Sequence, residues 1–225
     1  MHYYQSTYHS KVYRNFREIE EQDYRAIIHF YEEKEEEIRN LSFDEYFEML
    51  ISYTDALFQI GSYQKHLLMA DAAIEASVKG NIKFYRGKDI FQQLLFRKSA
   101  SLFNLRQYGR SDYILRELIK INPYNRDAAL LLKKCLRHQT PAFVSRARAL
   151  AIFLLLLIAG VIVMEVLFVR TFYDQYVRAI EISRNALFVI ACLFLIGADL
   201  LNRWKAHREV EAFLQSVREG KKIRI

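Results

Sequence analysis

Apolar residues recur with a helical period along the first 140 positions of the chain, and beyond them they become continuous. From Ala149 to Val169 the sequence ALAIFLLLLIAGVIVMEVLFV runs for 21 residues with a single charge, Glu165. At about 1.5 Å rise per residue this is long enough to cross a hydrocarbon core of roughly 30 Å, and a helix satisfies its own amides in lipid. A second apolar run, Asn185 to Leu201, follows after 15 residues and carries Asp199. This closeness predicts a hairpin that crosses twice, because a single crossing would leave the second run in water. Beyond it, Val210, Phe213, Leu214 and Val217 share one face of a further helix over Arg203 to Gly220, which lies in the membrane interface or packs on the domain ahead of the hairpin.

Ahead of the apolar runs, one phrase occurs twice. Leu57-Phe58-Gln59-Ile60-Gly61-Ser62-Tyr63 returns 45 positions later as Leu102-Phe103-Asn104-Leu105-Arg106-Gln107-Tyr108. Phe47, Leu50, Ile51 and Tyr53 lead into the first copy at helical spacing, and Phe91, Leu94, Leu95 and Ser99 lead into the second. Leu67, Ala70, Ala73 and Ile74 follow the first; Ile114, Leu115, Leu118 and Ile119 follow the second. Each copy therefore closes one helix and opens the next, giving two antiparallel pairs. Asn122-Pro123-Tyr124-Asn125 ends the second pair, since proline cannot continue a helix. Val12, Phe16 and Ile19, then Tyr24, Ile27, Ile28 and Tyr31, predict another pair at the start, and Ala128 to Leu136 a capping helix. The acidic run Glu32 to Glu37 reads as a solvated helix face, with an acidic docking surface as the other reading. No strand-like alternation is present, so the chain is predicted to be all-α, with residues 1–140 forming one domain, 141–202 the hairpin and 203–225 a basic tail.

The paired pattern over residues 43–125 resembles the tetratricopeptide repeat, a 34-residue helix-turn-helix that stacks into a solenoid. Tyr63 and Tyr108 match its aromatic, Ala73, Ser99 and Ser111 its small crossing positions, and Pro123 its closing proline. Leu50 and Leu95 replace its tryptophan, and His66 stands at a usual alanine. The 45-residue offset leaves 11 extra residues, placed within Val78 to Lys88. The resemblance implies a groove lined by the first helix of each pair and open to a protein or peptide, with Tyr53, Gln93, Arg97, Lys98 and Asn104 as its candidate contacts.

Charge changes the picture in one respect. The formal charge is +7, but residues 141–225 hold 12 Lys and Arg against 7 Asp and Glu, leaving 21 against 19 for the rest. The excess lies beside the apolar runs, which argues against nucleic acid and places both termini on the cytoplasmic side. With no signal-like N-terminus and only Cys135 and Cys192, the expected setting is a bacterial inner membrane facing a reducing cytoplasm. No phosphate-binding glycine motif, GxSxG nucleophile or metal-like His spacing is present, so neither an enzyme nor a cofactor is expected.

Glu165 and Asp199 are the intramembrane polar residues that ask for an account. They read as carboxylates reaching for their own interfaces near Arg170 and Arg203, with an ion path or docking to another membrane protein as the other readings. The expected function is a membrane-anchored adaptor that recruits a protein partner. The other reading is a subunit of a membrane assembly, or a small membrane-acting effector, whose hairpin is the working part; self-association is open in both.

Overall fold

The computed structural model describes residues 10–139, 142–169 and 177–222. Ten α-helices and one short β-hairpin account for most of these residues. The chain divides into two compact units, Met1–Cys135 and Leu136–Ile225.

The first unit holds α1 (Lys11–Arg17), α2 (Tyr24–Glu33), α3 (Glu35–Arg39), α4 (Phe43–Gln59), α5 (Tyr63–Lys79), α6 (Ile90–Asn104) and α7 (Tyr108–Ile121), with α8 (Arg126–His138) running across the boundary. The division falls inside α8, five residues ahead of the boundary expected at residue 140. Helices begin where a side chain can take an orphan amide: Ser10 accepts from Tyr13 N, Asp23 from Ala26 N and Asp89 from Gln92 N, each at 3.0–3.1 Å. The central helix is α4, buried around most of its circumference through Phe47, Met49, Leu50, Ile51, Ala56 and Leu57. A helix apolar on that many sides has to be surrounded, and α2 and α5 pack against it. Helix α6 packs on α5, and α7 on α6.

The repeated phrase makes one turn twice. At the end of α4, Ser62 N bonds to Leu57 O at 2.9 Å and Gly61 N to Phe58 O at 3.1 Å; at the end of α6, Gln107 N bonds to Leu102 O and Arg106 N to Phe103 O, both at 2.9 Å. Both are Schellman caps, which need a left-handed residue at the reversal. Gly61 supplies φ +79° and Arg106 φ +60°. The aromatic that opens the following helix packs edge-on to the phenylalanine of the turn in both copies, Tyr63 on Phe58 at 5.9 Å and Tyr108 on Phe103 at 5.4 Å. Crossings are held by small polar groups: Ser111 Oγ donates to Ser99 O at 2.8 Å, and Cys135 Sγ donates to Ser111 Oγ at 3.2 Å.

The described residues are helical, as expected, apart from one short element. The extra residues between the pairs form a two-stranded hairpin, β1 (Phe84–Tyr85) and β2 (Lys88–Asp89). Its two-residue turn is Arg86-Gly87, with φ of +48° and +76°, the backbone of a tight hairpin turn. Tyr85 packs edge-on against Phe47 at 6.0 Å, so the insertion covers part of the core instead of looping free.

The second unit contains α9 (Ala142–Met164), one π-helical turn (Glu165–Val169) and α10 (Val177–Lys222). The first apolar helix starts seven residues earlier than the run itself. The second does not stop at Leu201: α10 is continuous for 46 residues, about 70 Å, because Asn202-Arg203-Trp204 contains no helix breaker. Arg178 and Arg184, which precede the second apolar run, are already helical. The buried positions Val144, Ala151 and Ile158 of α9 and Glu165 of the π-helical turn fall seven apart, as do the half-buried Arg184 and the buried Ala191 and Ala198 on α10. A seven-residue spacing is the seam of a pair of supercoiled helices, and alanine there allows close approach.

Two predictions follow from the domain core. Arg106→Gly removes the cost of a Cβ-bearing residue in a left-handed turn and raises stability by about 1 kcal/mol, whereas Gly61→Ala lowers it by a similar amount; urea midpoints of the full chain in detergent micelles, read by near-ultraviolet dichroism, check both. His66 is fully buried, with Nδ1 2.8 Å from Ser101 Oγ and Nε2 without a hydrogen-bond partner, and burial pulls its pKa down to about 4. Between its ordinary value of 6.5 and about 4 the unfolded chain binds a proton that the folded chain refuses. Stability is therefore full above pH 6.5 and falls by about 3 kcal/mol as pH drops to 4. The same midpoints measured across that range show this loss, and His66→Ala flattens the slope.

Candidate functional site

Glu48, Ser52, Asp55 and Gln59 fall at i, i+4, i+7 and i+11 on α4 and form one polar stripe along it. They line an open cavity of about 320 Å³ whose other walls include Phe16 of α1 and Ile27 of α2, with Arg86 of the hairpin turn beside them. Its charges are matched in place. Glu48 accepts from Tyr13 Oη at 2.6 Å and from Arg17 at 2.5 Å, and Arg86 lies 3.1 Å from Glu21. Burial, together with the bond to Glu48, pushes Tyr13 up to about 12, so its hydroxyl remains a donor at neutral pH. From the first helix of the next pair, Arg97 forms an ion pair with Asp55 and lies over the Phe58 ring at 5.9 Å. The cavity is a polar groove in which carboxylates and guanidinium groups form ion pairs.

The five residues proposed as partner contacts do not form one surface. Arg97 reaches the cavity edge through Asp55. Lys98, the next residue, is turned about 100° away, and there it pairs with Asp71 in a separate groove that includes Leu68 and Tyr113. Tyr53 is only 5 % exposed: its ring stacks on Tyr31 at 4.1 Å and 3°, and its hydroxyl donates to Glu32 Oε1 at 2.9 Å. Gln93 is half-buried on α6, and Asn104 is exposed at its end. Among the described residues, no group of three or more His, Cys, Asp and Glu could hold a metal ion.

In the second unit both carboxylates singled out from the apolar runs are paired. Glu165, 1 % exposed, is 2.7 Å from Arg184 Nη1. Asp199 is 2.8 Å from Arg203 on its own helix and 3.8 Å from Arg148 on α9. Lys205 lies over the Phe143 ring at 4.7 Å, and Asn202 Nδ2 donates to Arg137 O at 3.2 Å. An early residue of α9 thus meets a late one of α10, and the reverse holds at the other end, so the two helices are antiparallel. Between the two clamps lie roughly 25 Å of helix, near the thickness of a hydrocarbon core. Along that stretch the outward side chains are large and apolar, among them Phe153, Leu156, Val163, Phe188, Leu193 and Ile196. Both helices are long and apolar enough to cross a membrane.

No family model, curated protein or solved structure matches this chain.

Glu165 was expected to reach toward its own interface near Arg170; within the described residues its partner is Arg184, across the seam. The signal for this was in the seven-residue spacing of 144, 151, 158, 165 and of 184, 191, 198, which sets the two charges at facing positions. Asp199 does pair with Arg203 as expected and gains Arg148 as a second cation. Removing one member of a buried pair leaves an uncompensated charge, at a cost of about 3 kcal/mol or more. Arg184→Leu therefore lowers the midpoint for unfolding the hairpin in a titration of mild detergent micelles with sodium dodecyl sulfate, and adding Glu165→Leu recovers most of the loss. Trp204 fluorescence reads the transition.

Proposed function

We propose that this chain is a membrane-anchored adaptor: α9 and the first half of α10 cross the bilayer, and the paired helices of the first unit hold a protein partner at the cytoplasmic face. The observation that carries the reading is the polar stripe Glu48, Ser52, Asp55 and Gln59, open to solvent along a cavity and joined by Arg97 from the following pair. A groove made by the first helices of successive pairs is how helical repeats take an extended peptide. The duplicated Schellman turn with its aromatic pair, and the Ser99–Ser111 crossing, support a tetratricopeptide-like stacking.

The bilayer is the covering that the outward apolar side chains of α9 and α10 call for, because a contiguous apolar surface of that extent is not left in water. The basic flanks support a cytoplasmic location for both termini, and a bacterial inner membrane suits an anchor of this kind. Pairing of Glu165 with Arg184 and of Asp199 with Arg148 and Arg203 weighs against the hairpin as an ion path, since neither carboxylate is left to carry a proton or cation.

A photo-crosslinking residue placed at Ser52 or Gln59 of the full chain in native membranes tests the adaptor reading. A soluble protein captured from these two positions, and not from Tyr124 on the loop before α8, supports it. Capture of the chain itself or of another membrane protein alone from Ser52 and Gln59 contradicts it.

A further inference from the structure

The two ends of the hairpin differ in charge. Between Glu165 and Arg184 the sequence carries three carboxylates, Glu165, Asp174 and Glu181, and three cations, Arg170, Arg178 and Arg184. Where the helices meet at the other end, residues 142–149 and 199–208 carry five cations, Arg146, Arg148, Arg203, Lys205 and Arg208, against the single carboxylate Asp199. That carboxylate is already shared by Arg148 and Arg203. Arg146, Lys205 and Arg208 have no carboxylate partner among the described residues, and all three are exposed. Aromatic faces hold two of them in place: Lys205 lies over Phe143 and Arg208 over Trp204, each at 4.7 Å. Trp204 is itself exposed, directly beyond the outward apolar residues Leu200 and Leu201. An aromatic at the edge of an apolar band, with unneutralised cations beside it, is the arrangement that meets lipid headgroups.

We propose that this end of the hairpin is a binding site for the phosphate headgroups of anionic phospholipids, formed by Arg146, Lys205 and Arg208 around Trp204. It rests on the membrane reading above. Arg208 and Lys205 supply donors to the phosphate oxygens while Trp204 and Phe143 lie against the glycerol and upper acyl region, so the headgroup is taken by charge and the chain end by apolar contact.

Trp204 is the chain's single tryptophan and so reports on the site directly. The full chain is reconstituted in bilayers of zwitterionic phosphatidylcholine, with equal small fractions of either phosphatidylcholine or phosphatidylglycerol brominated on an acyl chain as the quencher. The expected result is stronger quenching by brominated phosphatidylglycerol, a relative preference of about fivefold, the scale of one basic residue at a charged surface. In Arg146→Gln/Lys205→Gln/Arg208→Gln, which leaves the Asp199 cluster intact, that preference disappears while quenching by brominated phosphatidylcholine is unchanged. Equal quenching by the two lipids in the unaltered chain, or a preference that survives the triple substitution, overturns the site. Absence of quenching by either lipid places Trp204 away from the bilayer and overturns the membrane reading, and the site with it.

Discussion

Glu165 occupies a position in the seam between α9 and α10 where the preceding members of its series, Val144, Ala151 and Ile158, are apolar. A carboxylate there is tolerable only with a partner, since burying it alone costs several kcal/mol. Arg184 is that partner, and because it sits at the facing position of the other helix, the pair fixes both the antiparallel direction and the register of the hairpin. Everything between this clamp and the Arg148–Asp199–Arg203 cluster can then be apolar. The alanines of the seam, Ala151, Ala191 and Ala198, bring the helices close, and the larger side chains are turned outward. The hairpin therefore has a polar lock at each end and an apolar sheath between.

The first unit solves a different problem with the same helical material. Its seven full helices each bury one face against a neighbour, and α4 buries most of its surface because it is the element on which α2 and α5 both rest. The polar stripe of α4 is the exception. Glu48, Ser52, Asp55 and Gln59 remain half-buried or exposed along the cavity, and their charges are matched by Arg17 and Arg97 from neighbouring elements. Such a surface is organised before anything binds, which lowers the entropy a partner's arrival would otherwise cost. Lys98 and Tyr53, close in sequence to these helices' groove residues, serve other faces, because one step along a helix turns a side chain by about 100°.

Much of this was legible in the sequence, and the parts that were not have physical reasons. The two helix pairs and their turns could be read from the repeated phrase, since a Schellman cap is a local motif whose geometry is set within six residues. Arg106 standing where Gly61 stands in the first copy shows how strongly the rest of the phrase specifies the turn. The β-hairpin was missed because four strand residues make no period, and its Arg86-Gly87 turn is a weaker signal than an Asn-Gly pair would be. That the second apolar run and the helix over Arg203 to Gly220 are one element was harder to read, because the apolar run stops at Leu201 while helix propensity does not. For the candidate groove, polar residues on first helices were easy to find, but which of them share a wall depends on the mutual rotation of α2, α4 and α6. That rotation is set by packing, and it picks Asp55 and Arg97 while turning Tyr53 into the core.

The most direct test of the central claim, a hairpin locked across a bilayer, is the accessibility of single cysteines in sealed membrane vesicles. In a full chain with Cys135 and Cys192 replaced by serine, cysteines are placed one at a time at Ala142, Arg178 and Gly220 and exposed to a membrane-impermeant maleimide. A hairpin that crosses twice predicts that Ala142 and Gly220 are labelled from one side and Arg178 only from the other. Labelling of all three from the same side would contradict it.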